Sequence, residues 1–79
     1  MIAVRSFDFL VSINLNTAWN LANDCHYYQK EGSLNDITKM LKRHGVKAIN
    51  KGGFRGMNLQ NARWLLENIL ERLDQEIWN

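Results

Sequence analysis

Seven cationic side chains fall between Ile37 and Leu66, and no carboxylate falls among them. They are Lys39, Lys42, Arg43, Lys47, Lys51, Arg55 and Arg63. All eight Asp and Glu residues lie outside this window, against Arg5, Lys30 and Arg72. The formal net charge of +2 therefore hides a local +7. A positive field confined to part of a small domain attracts a polyanion, and nucleic acid is the commonest one. Lys and Arg neutralise phosphates and release counterions. Asn58, Gln60 and Asn61 follow the last glycine of the window. Asn and Gln can pair bidentately with adenine edges, and Arg with guanine. These ten residues are the candidate DNA-binding set. An ordinary solvated basic face is the plain alternative.

Other chemistries find little support. Cys25 is the single cysteine, so no intrachain disulfide is expected. Cys25, His26 and His44 fall short of the four ligands of a structural zinc site, and no metal or other cofactor is expected. Cys25 reads as a small buried apolar residue. There is no Gly-Lys-Ser/Thr phosphate loop and no nucleophile elbow, so no catalytic residues are assigned and an enzyme is not expected. No apolar run reaches the roughly 20 residues that cross a bilayer. Asp8 and Asn14 interrupt any signal-peptide pattern at the amino terminus, and a cytoplasmic protein is expected.

The elements that must position the cations are legible from punctuation. A chain of 79 residues predicts one small domain. Residues 1–16 form an amino-terminal strand or extension, and residues 17–79 a helical unit. Phe7, Phe9, Val11, Ile13 and Leu15 alternate with other residues, which suggests a half-buried strand. Phe7, Leu10, Val11 and Ala18 also fit a helical stripe, and both readings stay open, with strand preferred. Asn16 can cap a helix from about Thr17 to Lys30, burying Ala18, Leu21, Ala22, Cys25 and Tyr28. Gly32 ends it. Ser33 and Asp36 resemble a capping box that opens a helix from about Leu34 to His44. Leu34, Ile37, Met40 and Leu41 form its apolar face, and Lys39, Lys42 and Arg43 its wet face. Gly45 suits a left-handed C-terminal cap, and His44 suits the helix dipole there.

Val46 to Gly56 reads as a loop or short hairpin tipped by Gly52 and Gly53. Asn58 can cap a last helix, from about Leu59 to Ile77. Its wide apolar face runs from Leu59 through Leu73 to Ile77. Glu67, Glu71, Asp74 and Glu76 make its far end acidic, so only its first turn can approach phosphates. Phe54 reads as a core plug that tethers the loop. Trp64 is expected to pack under the amino-terminal segment, with an exposed contact role as the alternative. The fold class expected is mainly α: a three-helix, helix-turn-helix-like unit with a short N-terminal strand or extended segment.

The segment GSLNDITKMLKRHGVKAINKGGF, followed by a helix containing Leu65 and Leu66, resembles the DNA-binding "recombinase" domain of large serine recombinases. The matching positions are Gly32, Ser33, Ile37, Leu41, Gly45, Val46, Gly52, Gly53 and Phe54, and Tyr27 and Tyr28 resemble the family's lead-in. The resemblance covers about residues 17–70. It departs at Ile49, Asn50 and Lys51, where the family carries Thr-Pro before Gly-Gly, and at Arg55 to Met57, which are extra. The catalytic serine domain does not fit in this length, so recombinase activity is not implied. The resemblance implies a DNA-binding module, a regulator or accessory factor from a phage or mobile element.

Double-stranded DNA is accordingly the expected partner. The alternative is a protein-interaction module, a phage- or plasmid-encoded inhibitor or adaptor, whose basic patch docks on an acidic protein groove. The broad apolar face of the last helix and a strand without an obvious partner, save Val46 to Ile49 or a second chain, favour a homodimer.

Overall fold

The alternation of apolar residues near the amino terminus produces two strands rather than one. The computed structural model describes residues 2–6, 8–49 and 52–78, with side chains through residue 76. Strand β1 (Ile2–Ser6) pairs antiparallel with β2 (Phe9–Ile13), in a register that sets Val4 opposite Val11 and Ser6 opposite Phe9. Val4, Ser6, Phe9, Val11 and Ile13 are buried, and Ala3, Arg5, Leu10 and Ser12 point outward. This is the period of two of a sheet covered on one face.

A two-residue strand, β3 (Lys47–Ala48), joins the other edge of β2. Both partners of β2 thus come from this chain, which removes the unpaired-strand argument for a dimer. Ile2–Ser6 lies within the strand or extension expected over residues 1–16, and β2 carries Phe9, Val11 and Ile13 of the alternating set expected from Phe7 to Leu15. Phe7, expected in the alternating set, lies outside the described residues, as do Asn50 and Lys51.

Helix α1 (Leu15–Tyr28) starts two residues earlier than the cap at Asn16 predicts. Asn14 is the cap, its side-chain oxygen accepting from the Thr17 N–H at 2.8 Å. Ile13 is the last inward strand residue, so the cap follows it directly and Leu15 becomes an exposed first-turn residue. Ala18, Leu21, Ala22 and Cys25 form the buried stripe.

Helix α2 (Leu34–Arg43) begins with a complete capping box. The Ser33 hydroxyl accepts from the Asp36 N–H at 3.2 Å, and the Asp36 carboxylate accepts from the Ser33 N–H at 3.0 Å. Gly32 before it has φ +93°, and a Cβ there would meet the Tyr28 ring at 2.8 Å. The turn between α1 and α2 therefore requires glycine. The helix ends at His44 in a Schellman motif: Gly45 (φ +81°) donates to Lys42, and Val46 donates to Leu41.

Helix α3 (Leu59–Trp78) is capped by Asn58, whose side chain accepts from the Asn61 N–H at 2.8 Å. Ala62, Leu65, Leu66, Ile69, Leu70 and Leu73 bury its inner face, while the side chain of Ile77 lies outside those described. Helix α3 packs on α1 and on β1, and α2 touches both helices. The Ser6 hydroxyl, 1% exposed, donates to the Asn68 side chain and ties β1 to α3 across 62 positions. The protein is thus mainly helical, with three helices and a small three-stranded antiparallel sheet on which α3 packs.

Candidate nucleic-acid interface

The described cations of the basic window divide into four groups in space. On α2, Lys39 and Lys42 are exposed and one turn apart. The Lys42 ammonium lies 5.1 Å from the centroid of the Phe54 ring, close enough for a cation–π contact. Phe54 in turn packs edge-on against Phe9, with centroids 4.8 Å apart. Phe54 is half-buried against the core, as expected of a loop tether. The next residue, Arg55, is exposed on a turn closed by hydrogen bonds from the Arg55 and Gly56 N–H groups to the Gly52 carbonyl. Phe54 therefore gathers Lys42 and Arg55 into one neighbourhood, and Lys39 extends it along the helix.

Arg43 is directed elsewhere. Its guanidinium is 3.4 Å from the Asp24 carboxylate on α1. The same Asp24 oxygen is 2.6 Å from His44 Nε2. His44 is thus the last link of the α2 C-terminus, held by a side chain as well as by its place in the cap.

Lys47 faces a third direction. It stands opposite Leu10 on the outer face of the sheet, and Leu10 stands opposite Arg5. Arg5 and Lys47 thus flank the exposed Leu10, and neither shares the Lys42 surface. Arg5 lies outside the basic window, so the charge run could not reveal this pairing.

The first turn of α3 supplies a mixed set. Asn58 spends its carbonyl on the helix cap, which leaves only its amide to meet a ligand. Gln60 and Asn61 are exposed. Arg63 is half-buried, and its Nε is buried without a hydrogen-bond partner. Glu67, Glu71, Asp74 and Glu76 are exposed farther along α3.

Beside the Phe54 cluster lies a groove of about 510 Å³. It is lined by the turn residues Gly52, Gly53, Gly56 and Met57, by Asn61, Trp64 and Leu65 of α3, and by Asp8 and Phe9. Phe9 and Leu65 are buried and form its floor. Trp64 is 54% exposed. It does not pack under the amino-terminal segment, because Leu65 and Leu66, the next positions on the helix, take the inward direction. Asp8 and Trp64 line the same groove from positions 56 apart in sequence, so the groove had no local signal in the chain.

Among the described residues, two titrating groups are shifted. The Ser33 N–H, then its hydroxyl, hold the Asp36 carboxyl below the usual range, and Lys39 adds to this. Burial, helped by the Asp24 charge, pushes the Cys25 thiol up to about 12. Cys25 is fully buried, so it is packing material and not a nucleophile.

Among the described residues, no three His, Cys, Asp or Glu side chains come together to hold a metal ion, and no helix is long and apolar enough to cross a membrane. No family model, no curated protein and no solved structure matches this chain.

Proposed function

We propose that this protein is a small DNA-binding protein, a non-enzymatic regulator or accessory factor that contacts phosphates through α2 and the glycine-rich turn after β3. The observation that carries the reading is the gathering of Lys42 and Arg55 around Phe54, with Lys39 one turn away and no unpaired carboxylate on that helix face. Asp36 is the one acid of α2, and it is spent in the capping box. The turn carrying Arg55 leads through Met57 to the α3 amino terminus, whose first turn bears Gln60 and Asn61. That order of basic helix, turn and helix start supports a helix-turn-helix-like use of α2 and α3, and accords with the resemblance to the recombinase DNA-binding domain and with an origin in a phage or mobile element. The acidic remainder of α3 points away from any phosphate path.

A protein partner is the second reading, and the groove with its exposed Trp64 favours it, because exposed Trp is enriched at contact hot spots. The two separate in one experiment. Anisotropy of a labelled duplex, titrated with salt from about 50 to 200 mM, reads phosphate contact directly. The DNA reading expects binding that weakens steeply with salt, and a shallower slope in Lys42→Glu and Arg55→Glu. Absence of binding at the lowest salt, in folded protein, would move the assignment to a protein partner.

A further inference from the structure

We infer that the groove beside the glycine turn is a receptor for one unstacked nucleobase of a nucleic-acid strand, with guanine preferred. The inference rests on the DNA-binding reading and adds a base-reading site to it. Its volume of about 510 Å³ falls within the roughly 300–1,000 Å³ of ligand pockets. Its contents are suited to a planar, partly polar ring. Trp64 offers an exposed indole face for stacking, and stacking on an aromatic side chain is the common way to hold an unpaired base. Phe9 and Leu65 supply an apolar floor.

The polar lining decides the orientation. Among the described residues, Asp8 is the one charged residue lining the groove, and its carboxylate accepts hydrogen bonds without donating any. It repels phosphate and welcomes N–H donors. Guanine presents two adjacent donors, N1–H and the N2 amino group, which a carboxylate can accept together. Asn61, whose side-chain amide both donates and accepts, lines the same groove. Arg55, exposed on the turn whose Gly53 and Gly56 line the groove, is available to the phosphodiester. An acid in the lining and an arginine on the adjoining turn suit a base pocket next to a backbone track better than a phosphate site.

The test uses the whole protein and a short labelled thymidine oligonucleotide carrying one central guanine. Controls are the same strand with an abasic centre, the all-thymidine strand, a duplex, and guanosine monophosphate alone. The guanine strand is expected to bind about tenfold more tightly than the abasic one. Trp64→Ala is expected to weaken the guanine strand by a similar factor, within the about 5- to 150-fold that one stacked base represents, and to leave duplex binding and its salt slope unchanged. Trp64→Phe should retain part of the affinity. Asp8→Asn should erase the preference for guanine over thymine without changing the abasic strand. Because Trp64 and Asp8 are exposed, circular dichroism should match that of the parent.

If duplex binding is salt-dependent but the guanine and abasic strands bind alike, the pocket is overturned and the DNA-binding reading stands. Equal losses in Trp64→Ala for strand and duplex overturn it too, as does guanosine monophosphate binding as tightly as the strand, which would make the ligand a free nucleotide. No binding to strand or duplex at the lowest salt overturns both proposals together.

Discussion

His44 and Asp24 meet at 2.6 Å and fasten the end of α2 to the middle of α1. The His44 side chain is 12% exposed and that of Asp24 35%, so the contact is half sheltered from water. The same carboxylate oxygen lies 3.4 Å from the Arg43 guanidinium, whose side chain is 63% exposed. An ion pair so exposed contributes little to stability. Its consequence is for binding, because Asp24 occupies a cation at the end of the basic helix. One carboxylate thus anchors the helix through its histidine and restrains its arginine.

Replacing Asp24 separates those roles. Asp24→Asn keeps a hydrogen-bond acceptor for His44 and removes the charge that holds Arg43. Duplex affinity is expected to rise and the log–log salt slope to steepen by up to about 0.9, the increment for one added phosphate contact. Asp24→Ala also removes the acceptor. Its expected cost is about 1 kcal/mol, a fall in Tm of roughly 4–8 °C for a domain of this size. A salt slope identical in Asp24→Asn and parent protein would show that Arg43 never reaches phosphate.

Phe54 links the core to the candidate interface, since it contacts Phe9 on one side and Lys42 on another. Phe54→Ala is expected to destabilise the fold by about 2 kcal/mol, below the ~3–5 kcal/mol of a fully buried Phe because the ring is only half-buried. Chemical denaturation measures this, and a midpoint shift without a change in m assigns it to packing. Phe54→Leu, which restores apolar bulk but has no ring face for Lys42, should recover most of the stability. A neutral Phe54→Ala would mean that the turn after β3 is held by its backbone alone.

Local rules account for the helices and stop there. Ser33, Gly45 and Asn58 announce their caps because a cap is a contact within four residues, and all three are found where the chain predicts them. The cap of α1 moved from Asn16 to Asn14 because two asparagines stand within reach of the same helix start, and the sheet decides between them. Lys42 is linked through Phe54 to the turn that carries Arg55, but Lys47 turns to the outer sheet face with Arg5, since strand register and not charge orders them. The pairs Asp24–His44 and Ser6–Asn68 join distant positions, Asp8 and Trp64 line one groove, and no periodicity encodes which residues tertiary packing will bring together.

Ser6 tests the least legible of these contacts. Its hydroxyl is buried and donates to the Asn68 side-chain oxygen. Ser6→Ala leaves that oxygen without its donor in a partly buried place, at an expected cost of about 1–3 kcal/mol. Asn68→Leu combined with Ser6→Ala removes both polar groups and should recover part of the loss. Thermal unfolding of the single and double variants reads the coupling. Strict additivity of the two changes would sever the proposed link between β1 and α3.

Asp36 makes stability depend on acid. Its folded pKa is held below the unfolded value by Ser33 and Lys39. The contribution is therefore present above the ordinary carboxylate range and is lost as pH falls through the folded value. Asp36→Ala should be less stable than the parent at neutral pH, and the difference should shrink toward zero in acid. A difference that stays constant from neutral to strongly acidic pH would exclude the ionised capping box as its source.

Cys25 sets the opposite limit. Its thiol titrates at about 12 in the folded chain against an ordinary 9.0, because ionisation would place a thiolate in the core beside the Asp24 charge. A folded pKa raised in this way gives stability that is complete below the unfolded value and declines as pH rises from about 9 toward 12. Cys25→Ala should flatten that alkaline decline while costing some packing at neutral pH. The same burial makes the thiol a reporter. A disulfide reagent at mildly alkaline pH should label the native protein only through transient opening, at a rate proportional to the open population. Denaturant below the unfolding midpoint should then accelerate labelling in step with the fall in global stability. Labelling as fast as that of a free thiol in native buffer would contradict the packing of α1 on α3, because Cys25 sits on the stripe of α1 that turns away from solvent.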